Sequence, residues 1–383
     1  MINPSPFALM LCWNFPPAVG GIEYVARNIY RQLRLRGWGV TVLARYANQP
    51  DEFDAQRPSA AGLFRYLFFS FFRGLKIMRR QKFNIIVCPG IIDAPVAWLL
   101  SIIYHVPFVI LAHGSDVVRS GILYRAVSAH LFRAASAIAA NSRNTRDLLL
   151  KRDIKKPVIR IIHPGVEMFD VPDNTLMAKK ERSGPVLITA GRIIRRKGIG
   201  EFIEHVMPRL LETFPALTYV VAGADATQSL VHKERLLDVL KRRVSGLKLD
   251  SSVQFTGPVT DLELSALYEH ADIFVMPVIP VEDDVEGFGI VLLEAARHRL
   301  PSVSTRCGGI PDAVIDGVTG YLVEPKSWGD MTRVITDLLE NNERRSAMGE
   351  AARRRAGQEF SWDVIGRQYD DFFRQIDRPV RVA

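Results

Sequence analysis

The stretch Glu286-Gly287-Phe288-Gly289-Ile290-Val291-Leu292-Leu293-Glu294-Ala295 reads as a glycine-bearing loop that feeds a helix. Ile290, Val291, Leu292, Leu293 and Ala295 supply the helix with an apolar face. A helix N-terminus presents unpaired N–H groups and a positive dipole end, so it attracts phosphate or sugar hydroxyls. Gly287 and Gly289 let a ligand come close to the main chain. The carboxylates of Glu286 and Glu294 stand on either side of the turn and can grip hydroxyls on two parts of one ligand. A plain loop-to-helix join with two solvated glutamates has the same local pattern, so the neighbouring sequence has to decide.

On both sides of this stretch, strands alternate with helices. Upstream, strands are expected at 186–190, 218–222, 253–256 and 273–277, with a helix at 261–270 before the last. Downstream, a strand at 301–305 leads into Gly308-Gly309-Ile310-Pro311. The turn Asp316-Gly317-Val318-Thr319-Gly320 precedes a short strand at 321–324. The strand 186–190 is followed by Gly191-Arg192-Ile193-Ile194-Arg195-Arg196-Lys197-Gly198 and a helix from Ile199. Two cations, Arg192 and Lys197, on a strand-to-helix loop suit a diphosphate; a solvated basic loop is the alternative. The basic run Arg353-Arg354-Arg355 is expected on a solvated helix face.

The first half repeats the pattern. A strand at 7–13 leads through Asn14-Phe15-Pro16-Pro17-Ala18-Val19 to Gly20-Gly21, which open a helix to about Trp38; a strand follows at 39–45. This is a β-loop-α-β unit without the G-x-G-x-x-G dinucleotide fingerprint. Residues 61–80 hold Leu63, Phe64, Tyr66, Leu67, Phe68, Phe69, Phe71 and Phe72 beside Arg65, Arg73, Lys76, Arg79 and Arg80. That composition fits an interfacial membrane helix and equally a core helix leading into the strand 84–89. The apolar run 94–112 approaches the length of a membrane span, but His105-Val106-Pro107 breaks it into helix, turn and strand. Its strand ends in His113-Gly114-Ser115-Asp116, a polar cluster at the position where open α/β sheets bind ligands. The next strand, 137–140, ends in Asn141-Ser142, where Ser142 or Asn144 can cap a helix. A strand at 158–162 and the turn His163-Pro164-Gly165-Val166 complete this half, and the polar segment 167–184 reads as a linker.

At 383 residues and 48% apolar content, the chain is long enough for two full cores. Cys12, Cys88 and Cys307 are odd in number and widely spaced, which argues against a disulfide or zinc framework and for a reducing compartment. The apolar run near the N-terminus has no basic lead-in and is too short for a secretory signal. The charge of +9 is uneven, with 22 Lys+Arg against 10 Asp+Glu in residues 1–170. A basic half points to an anionic partner such as phosphate or lipid headgroup, or to a solubilising surface. No zinc-finger, helix-turn-helix or RNP signature accompanies it, so nucleic acid is not an expected partner.

Taken together and in order, these stretches resemble the family-4 retaining glycosyltransferases of the GT-B architecture, an α/β fold of two facing Rossmann-like domains. The resemblance covers most of the chain, and the opening stretch is similar to the family's E-x7-E signature. The resemblance implies an acceptor-binding domain over 1–170, a donor-binding domain over 171–360, and a final helix within 361–383 that packs back onto the first domain. It implies that Gly20 and Gly21 approach the donor diphosphate, that Arg192 and Lys197 neutralise it and assist departure of the nucleotide, and that Glu286 faces the transferred sugar. Phe288, Gly289 and Ile290 then offer main-chain N–H groups, Glu294 holds the ribose hydroxyls, and His113 sits by the sugar. His113, Arg192, Lys197 and Glu286 are the expected catalytic residues. Fixed cations and a helix N-terminus meet the electrostatic demand, so no cofactor and no metal is expected, and Asp283-Asp284 is a poor ion site.

The run from Asp284 to Val291 is similar to that of bacterial phosphatidylinositol-mannoside mannosyltransferases. It makes GDP-mannose the favoured donor, with UDP-linked sugars as the alternative. A lipid-linked or cell-envelope glycan acceptor, cytoplasmic location and contact with an anionic membrane surface complete the expectation. A nucleotide-sugar epimerase of the same fold and a non-catalytic binding module are the competing classes.

Overall fold

Short apolar runs, bounded by glycine, proline and polar turns, build two sheets in which every strand pairing is parallel. The computed structural model describes residues 5–48, 52–155, 157–168, 183–225 and 235–377. The chain divides into two units, Met1–Gly165 with Trp362–Ala383, and Val166–Ser361. Most of the expected linker, residues 169–182, lies outside the described residues.

The first unit carries β1 (Phe7–Cys12), β2 (Gly39–Ala44), β3 (Ile85–Cys88), β4 (Phe108–Ala112), β5 (Ala137–Ala140) and β6 (Val158–Ile161), in the order β2-β1-β3-β4-β5-β6. Its helices are α1 (Gly21–Leu35), α2 (Leu63–Met78), α3 (Ala94–Tyr104), α4 (Gly114–Val118), α5 (Ile122–Ala134) and α6 (Arg143–Lys151). The second unit carries β7 (Val186–Ala190), β8 (Thr218–Ala222), β9 (Val253–Gly257), β10 (Ile273–Met276), β11 (Ser302–Thr305) and β12 (Gly320–Val323), in the order β12-β11-β10-β7-β8-β9. Its helices are α7 (Ile199–His205), α8 (Met207–Thr213), α9 (Leu237–Gly246), α10 (Asp261–His270), α11 (Ile290–Arg297), α12 (Ile310–Ala313), α13 (Trp328–Glu340) and α14 (Asn342–Phe360). A last helix, α15 (Trp362–Asp377), belongs to the first unit and packs on α1. Trp38 donates its indole N–H to Asp370 at 2.6 Å, and Trp362 donates to the Tyr24 hydroxyl at 3.0 Å.

Parallel strands covered on both faces must be apolar throughout. β3, β4, β5 and β10 are accordingly buried along their whole length. In each sheet the strand order reverses once, between β1 and β3 and between β7 and β10. Ligands of open α/β sheets bind beyond the carboxyl ends of strands at such switch points.

Several boundaries are set by backbone chemistry. α1 stops at Leu35 rather than Trp38, because Gly37 takes a left-handed conformation that ends the helix. The helix expected from Ile199 is two, α7 and α8, divided ahead of Pro208. The run 94–112 is α3, a left-handed His105 and β4; among the described residues no helix is long and apolar enough to cross a membrane.

The expectation that Arg353-Arg354-Arg355 forms a solvated face needs correction. Arg354 is exposed, but Arg353 donates to the Arg297 carbonyl at the end of α11. Arg355 donates to the carbonyls of Asp312 and Ala313 at 2.8 and 2.7 Å, at the end of α12. The last carbonyls of a helix lack intrahelical partners, and these two guanidinium groups supply them.

Candidate functional site

In the second unit, the switch point joins two loops. One leaves β7 as Gly191-Arg192-Ile193-Ile194 and tightens into a 3-10 turn over Arg195–Lys197. The other leaves β10 and runs to α11. Gly198 locks the first loop against the second. Its φ is +66°, and a Cβ there would lie 1.9 Å from the Pro277 carbonyl oxygen. No residue with a side chain fits this left-handed, close-packed position. Gly289 acts likewise at the start of α11, with φ +88° and contacts to Leu292 and Met276 that a Cβ would crowd.

This packing turns two cations inward. Arg196 and Lys197 are only 6% and 7% exposed, whereas Arg192 and Arg195 are exposed. Arg196 Nε donates to Asp284 Oδ2 at 3.0 Å, and Arg196 Nη1 donates to Glu286 Oε2. Lys197 Nζ lies 2.9 Å from the same Glu286 oxygen and 3.3 Å from Met276 Sδ. Two buried positive groups thus meet two carboxylates of low exposure. Desolvation alone raises the Glu286 carboxyl, but the charges of Arg196 and Lys197 outweigh it and hold it at about 2. Desolvation is the largest influence on Lys197 and lowers it, against the opposing pull of Glu286. Removal of one member of such a cluster leaves an uncompensated buried charge.

The main chain of Glu286 is fixed as well. Its carbonyl accepts the Gly309 N–H at 2.8 Å, and Gly308, at φ +58°, packs so that a Cβ would meet that oxygen at 2.3 Å. The loop Gly308-Gly309-Ile310-Pro311 is therefore the backing of the Glu286 turn. Phe288 is buried and stands against Phe360 at a ring separation of 5.7 Å. Gly289 and Ile290 form the N-terminal turn of α11, whose first N–H groups have no intrahelical acceptor. Glu294, one turn on, does not join the cluster. It accepts from the Tyr268 hydroxyl at 3.3 Å, and burial pushes its carboxyl upward.

In the first unit, His113 follows β4 and precedes α4. His113 Nε2 lies 2.8 Å from the Pro89 carbonyl oxygen, which can only accept, so Nε2 carries the proton. Nδ1 is then the acceptor that faces the Asn141 amide at 3.5 Å. Asn141 Oδ1 in turn accepts from Thr145 Oγ1 at 2.7 Å, and Ser142 caps α6 through the Thr145 N–H. The ring is thus held by the ends of β3 and β5. Gly20 and Gly21 start α1, where Gly20 sits against the Glu23 carboxylate.

A buried network at the same strand ends carries no local sequence signal. Asp93 is 1% exposed and accepts from the Trp13 N–H at 2.8 Å and the Tyr66 hydroxyl at 2.7 Å. Burial raises its carboxyl to about 8, the two hydrogen bonds opposing the shift. Arg196 was equally hidden in the sequence, as the middle of three consecutive basic residues. The carboxylate pair Asp284 and Glu286, two positions apart, was the usable signal for a second inward cation.

Two Rossmann-like units, one of which gathers fixed cations and a helix N-terminus at its switch point, are the framework of enzymes that handle phosphorylated nucleotides. The chain matches the family described as Glycosyltransferase Family 4 over residues 19–168 and that described as Glycosyl transferases group 1 over residues 175–355. It belongs to the family-4 glycosyltransferases of the GT-B fold. It is 26% identical over 400 residues to the glycogen synthase of Mycobacterium tuberculosis, an alignment covering 93% of this chain and 92% of that one. It is 31% identical over 240 residues to the GDP-mannose-dependent alpha-(1-6)-phosphatidylinositol monomannoside mannosyltransferase of Mycolicibacterium smegmatis, covering 61% of this chain and 60% of that one. Its fold is similar to that of the sucrose-phosphate synthase from Thermosynechococcus elongatus, with a TM-score of 0.83 at 22% identity over 97% of this chain and 99% of the other.

Proposed function

We propose that this glycosyltransferase moves a hexose, with mannose from GDP-mannose favoured, from a nucleotide sugar to a lipid-linked or cell-envelope glycan acceptor. The observation that carries the reading is the pairing of Lys197 with Glu286 beside Arg196, at the switch point of the second unit. When a sugar–phosphate bond breaks, negative charge develops on the departing nucleoside diphosphate. Preorganised cations and N–H groups stabilise that charge without reorganisation. In this reading the exposed Arg192 and the buried Lys197 neutralise the diphosphate, and the first turn of α11 offers it N–H groups. Lys197 exchanges its contact with Glu286 for one with phosphate. Glu286, held ionised by Arg196, then faces the sugar.

Glu294 holds the ribose, and Gly20, Gly21 and His113 are the first unit's candidates for contact with substrate. Retention of anomeric configuration by front-face attack is part of the proposal, as is independence of metal ions. Asp284, part of the acidic pair that makes a poor ion site, is already engaged with Arg196, which favours the second point. The mannosyltransferase relative favours GDP-mannose, while the longer alignment with a glycogen synthase favours a polysaccharide-forming transferase.

The test is a transfer assay in which GDP-mannose and UDP-linked hexoses are offered with a membrane lipid extract or an oligosaccharide acceptor. Mannosylated lipid with the α-anomer retained is the expected product. Transfer from a UDP sugar to glycan alone points to the polysaccharide reading, and epimerised donor formed without acceptor overturns the transferase reading. Activity that survives a chelator is expected; loss of activity restored by a divalent ion contradicts the metal-independent part.

A further inference from the structure

We propose that α2, α3 and α5 of the first unit form a face that docks onto an anionic lipid bilayer. The connections β2→β3, β3→β4 and β4→β5 all advance in one direction across the sheet. Parallel crossovers are right-handed, so α2, α3 and α5 lie in one layer on one side. α2 packs on α3, and α3 on α5. The solvent side of this layer is apolar. On α2, Phe64, Phe68 and Phe72 recur every four residues and are 76%, 64% and 61% exposed, with the last two rings stacked at 6.4 Å. Ile102 and Ile103 are also exposed near the end of α3, and Ile122 and Leu123, 92% and 78% exposed, at the start of α5.

The phenylalanine stripe is locked outward. The opposite face of α2 buries Tyr66, Ser70, Gly74 and Met78. Tyr66 is tied to Asp93, and Gly74 sits so close to Leu100 that a Cβ would meet it at 2.6 Å. The Tyr104 hydroxyl of α3 donates to the Leu75 carbonyl at 2.9 Å. α2 therefore cannot rotate its rings inward, and both of its faces are accounted for: one by the core, one by something outside the fold.

The charge pattern identifies the occupant. Residues 55–146 contain 12 arginines and lysines against two carboxylates, Asp93 and Asp116. Asp93 is buried, and Asp116 hydrogen-bonds the His113 N–H at the start of α4. Arg65 and Lys76 on α2, Arg79 and Arg80 just after it, Arg119 ahead of α5 and Arg125 on it are all exposed. Aromatic and aliphatic anchors framed by cations, with no exposed carboxylate among them, match the boundary between acyl chains and anionic headgroups. The long basic side chains can lay their stems along the apolar surface and extend their charges to phosphate.

Docking to a bilayer needs neither donor nor acceptor, so its outcome is separable from that of the transfer assay. The full chain is floated with vesicles of phosphatidylglycerol and phosphatidylcholine, and with vesicles of phosphatidylcholine alone. Co-flotation with the first and little with the second is expected, weakening as salt rises. The variant Phe64→Ser/Phe68→Ser/Phe72→Ser alters only exposed positions and should bind at least about tenfold more weakly. Lys76→Glu/Arg79→Glu/Arg80→Glu should lose the preference for anionic vesicles. Both variants should keep the wild-type melting temperature and wild-type affinity for GDP. Failure of the wild type to float, or equal flotation of the serine variant, overturns the proposal. So does a wild-type dimer in sedimentation that the serine variant converts to monomer, because a second copy then covers the face.

Discussion

The ends of the central strands are held differently in the two units. In the first, neutral hydrogen bonds connect them: His113 to Pro89 and Asn141, and Asp93 to Trp13 and Tyr66. In the second, full charges connect them: Arg196 and Lys197 to Asp284 and Glu286. Both arrangements sit on sheets of the same six-stranded parallel kind, so the topology supplies the location and the side chains decide the chemistry. A neutral, directional network suits the placing of hydroxyl groups. A charge cluster poised to exchange one partner suits a diphosphate.

The comparison breaks most readily at Arg196. Substitution Arg196→Ala leaves Asp284 and Glu286 buried with one cation between them. A loss of about 3–5 kcal/mol in unfolding free energy is expected, read by denaturant titration. A loss below about 1 kcal/mol would mean that the cluster is solvated rather than buried.

Lys197→Ala should fold, since Arg196 still pairs with Glu286, but should slow transfer by about a hundredfold or more. A steady-state assay against a folded control reads it. Fall in kcat with little change in acceptor KM supports leaving-group stabilisation; an unchanged rate removes Lys197 from the reaction.

The same contrast has opposite pH signatures. The Glu286 carboxyl is held at about 2 in the folded chain, below its unfolded value. Its contribution is fully present above about pH 4.3 and is lost as pH falls through about 2. The Asp93 carboxyl is raised to about 8. The folded state then holds a proton that the unfolded state has released. Stability should fall as pH rises from about 4 to about 8 and stay level above. Asp93→Asn, which keeps an acceptor for Trp13 and Tyr66, should flatten that slope in melting temperature against pH. An unchanged slope would show that Asp93 is ionised in the fold.

The smallest expected effect is at the helix ends. Arg355→Ala leaves the Asp312 and Ala313 carbonyls without their donor and should cost about 1 kcal/mol. A neutral result would return Arg355 to the solvated face that the sequence implies.

How much of this could be read beforehand follows from the range of each interaction. The strand and helix alternation is local, so both sheets and the polar cluster after β4 were legible. Lys197 and Glu286 were legible because each follows a strand and flanks a glycine. Arg196 was not, because Arg195-Arg196-Lys197 has no periodicity and only the 3-10 turn sends Arg195 outward and Arg196 inward. The Trp13–Asp93–Tyr66 network joins positions 27 and 80 residues apart and leaves no pattern in any window. The outward lock of α2 likewise depends on Leu100 and Tyr104 of another helix, so the sequence left membrane and core readings open together.

Nucleotide affinity decides whether the charge cluster at the β7/β10 switch point receives the donor diphosphate. GDP, UDP and ADP are titrated calorimetrically into the wild type and into Arg192→Ala and Lys197→Ala. A ligand that binds only the native state also raises the melting temperature, by an amount that grows with the logarithm of its affinity. The expected result is tightest binding of GDP to the wild type and at least about tenfold weaker binding to either variant. Equal affinity in all three proteins, or no binding of any nucleoside diphosphate, would contradict the account.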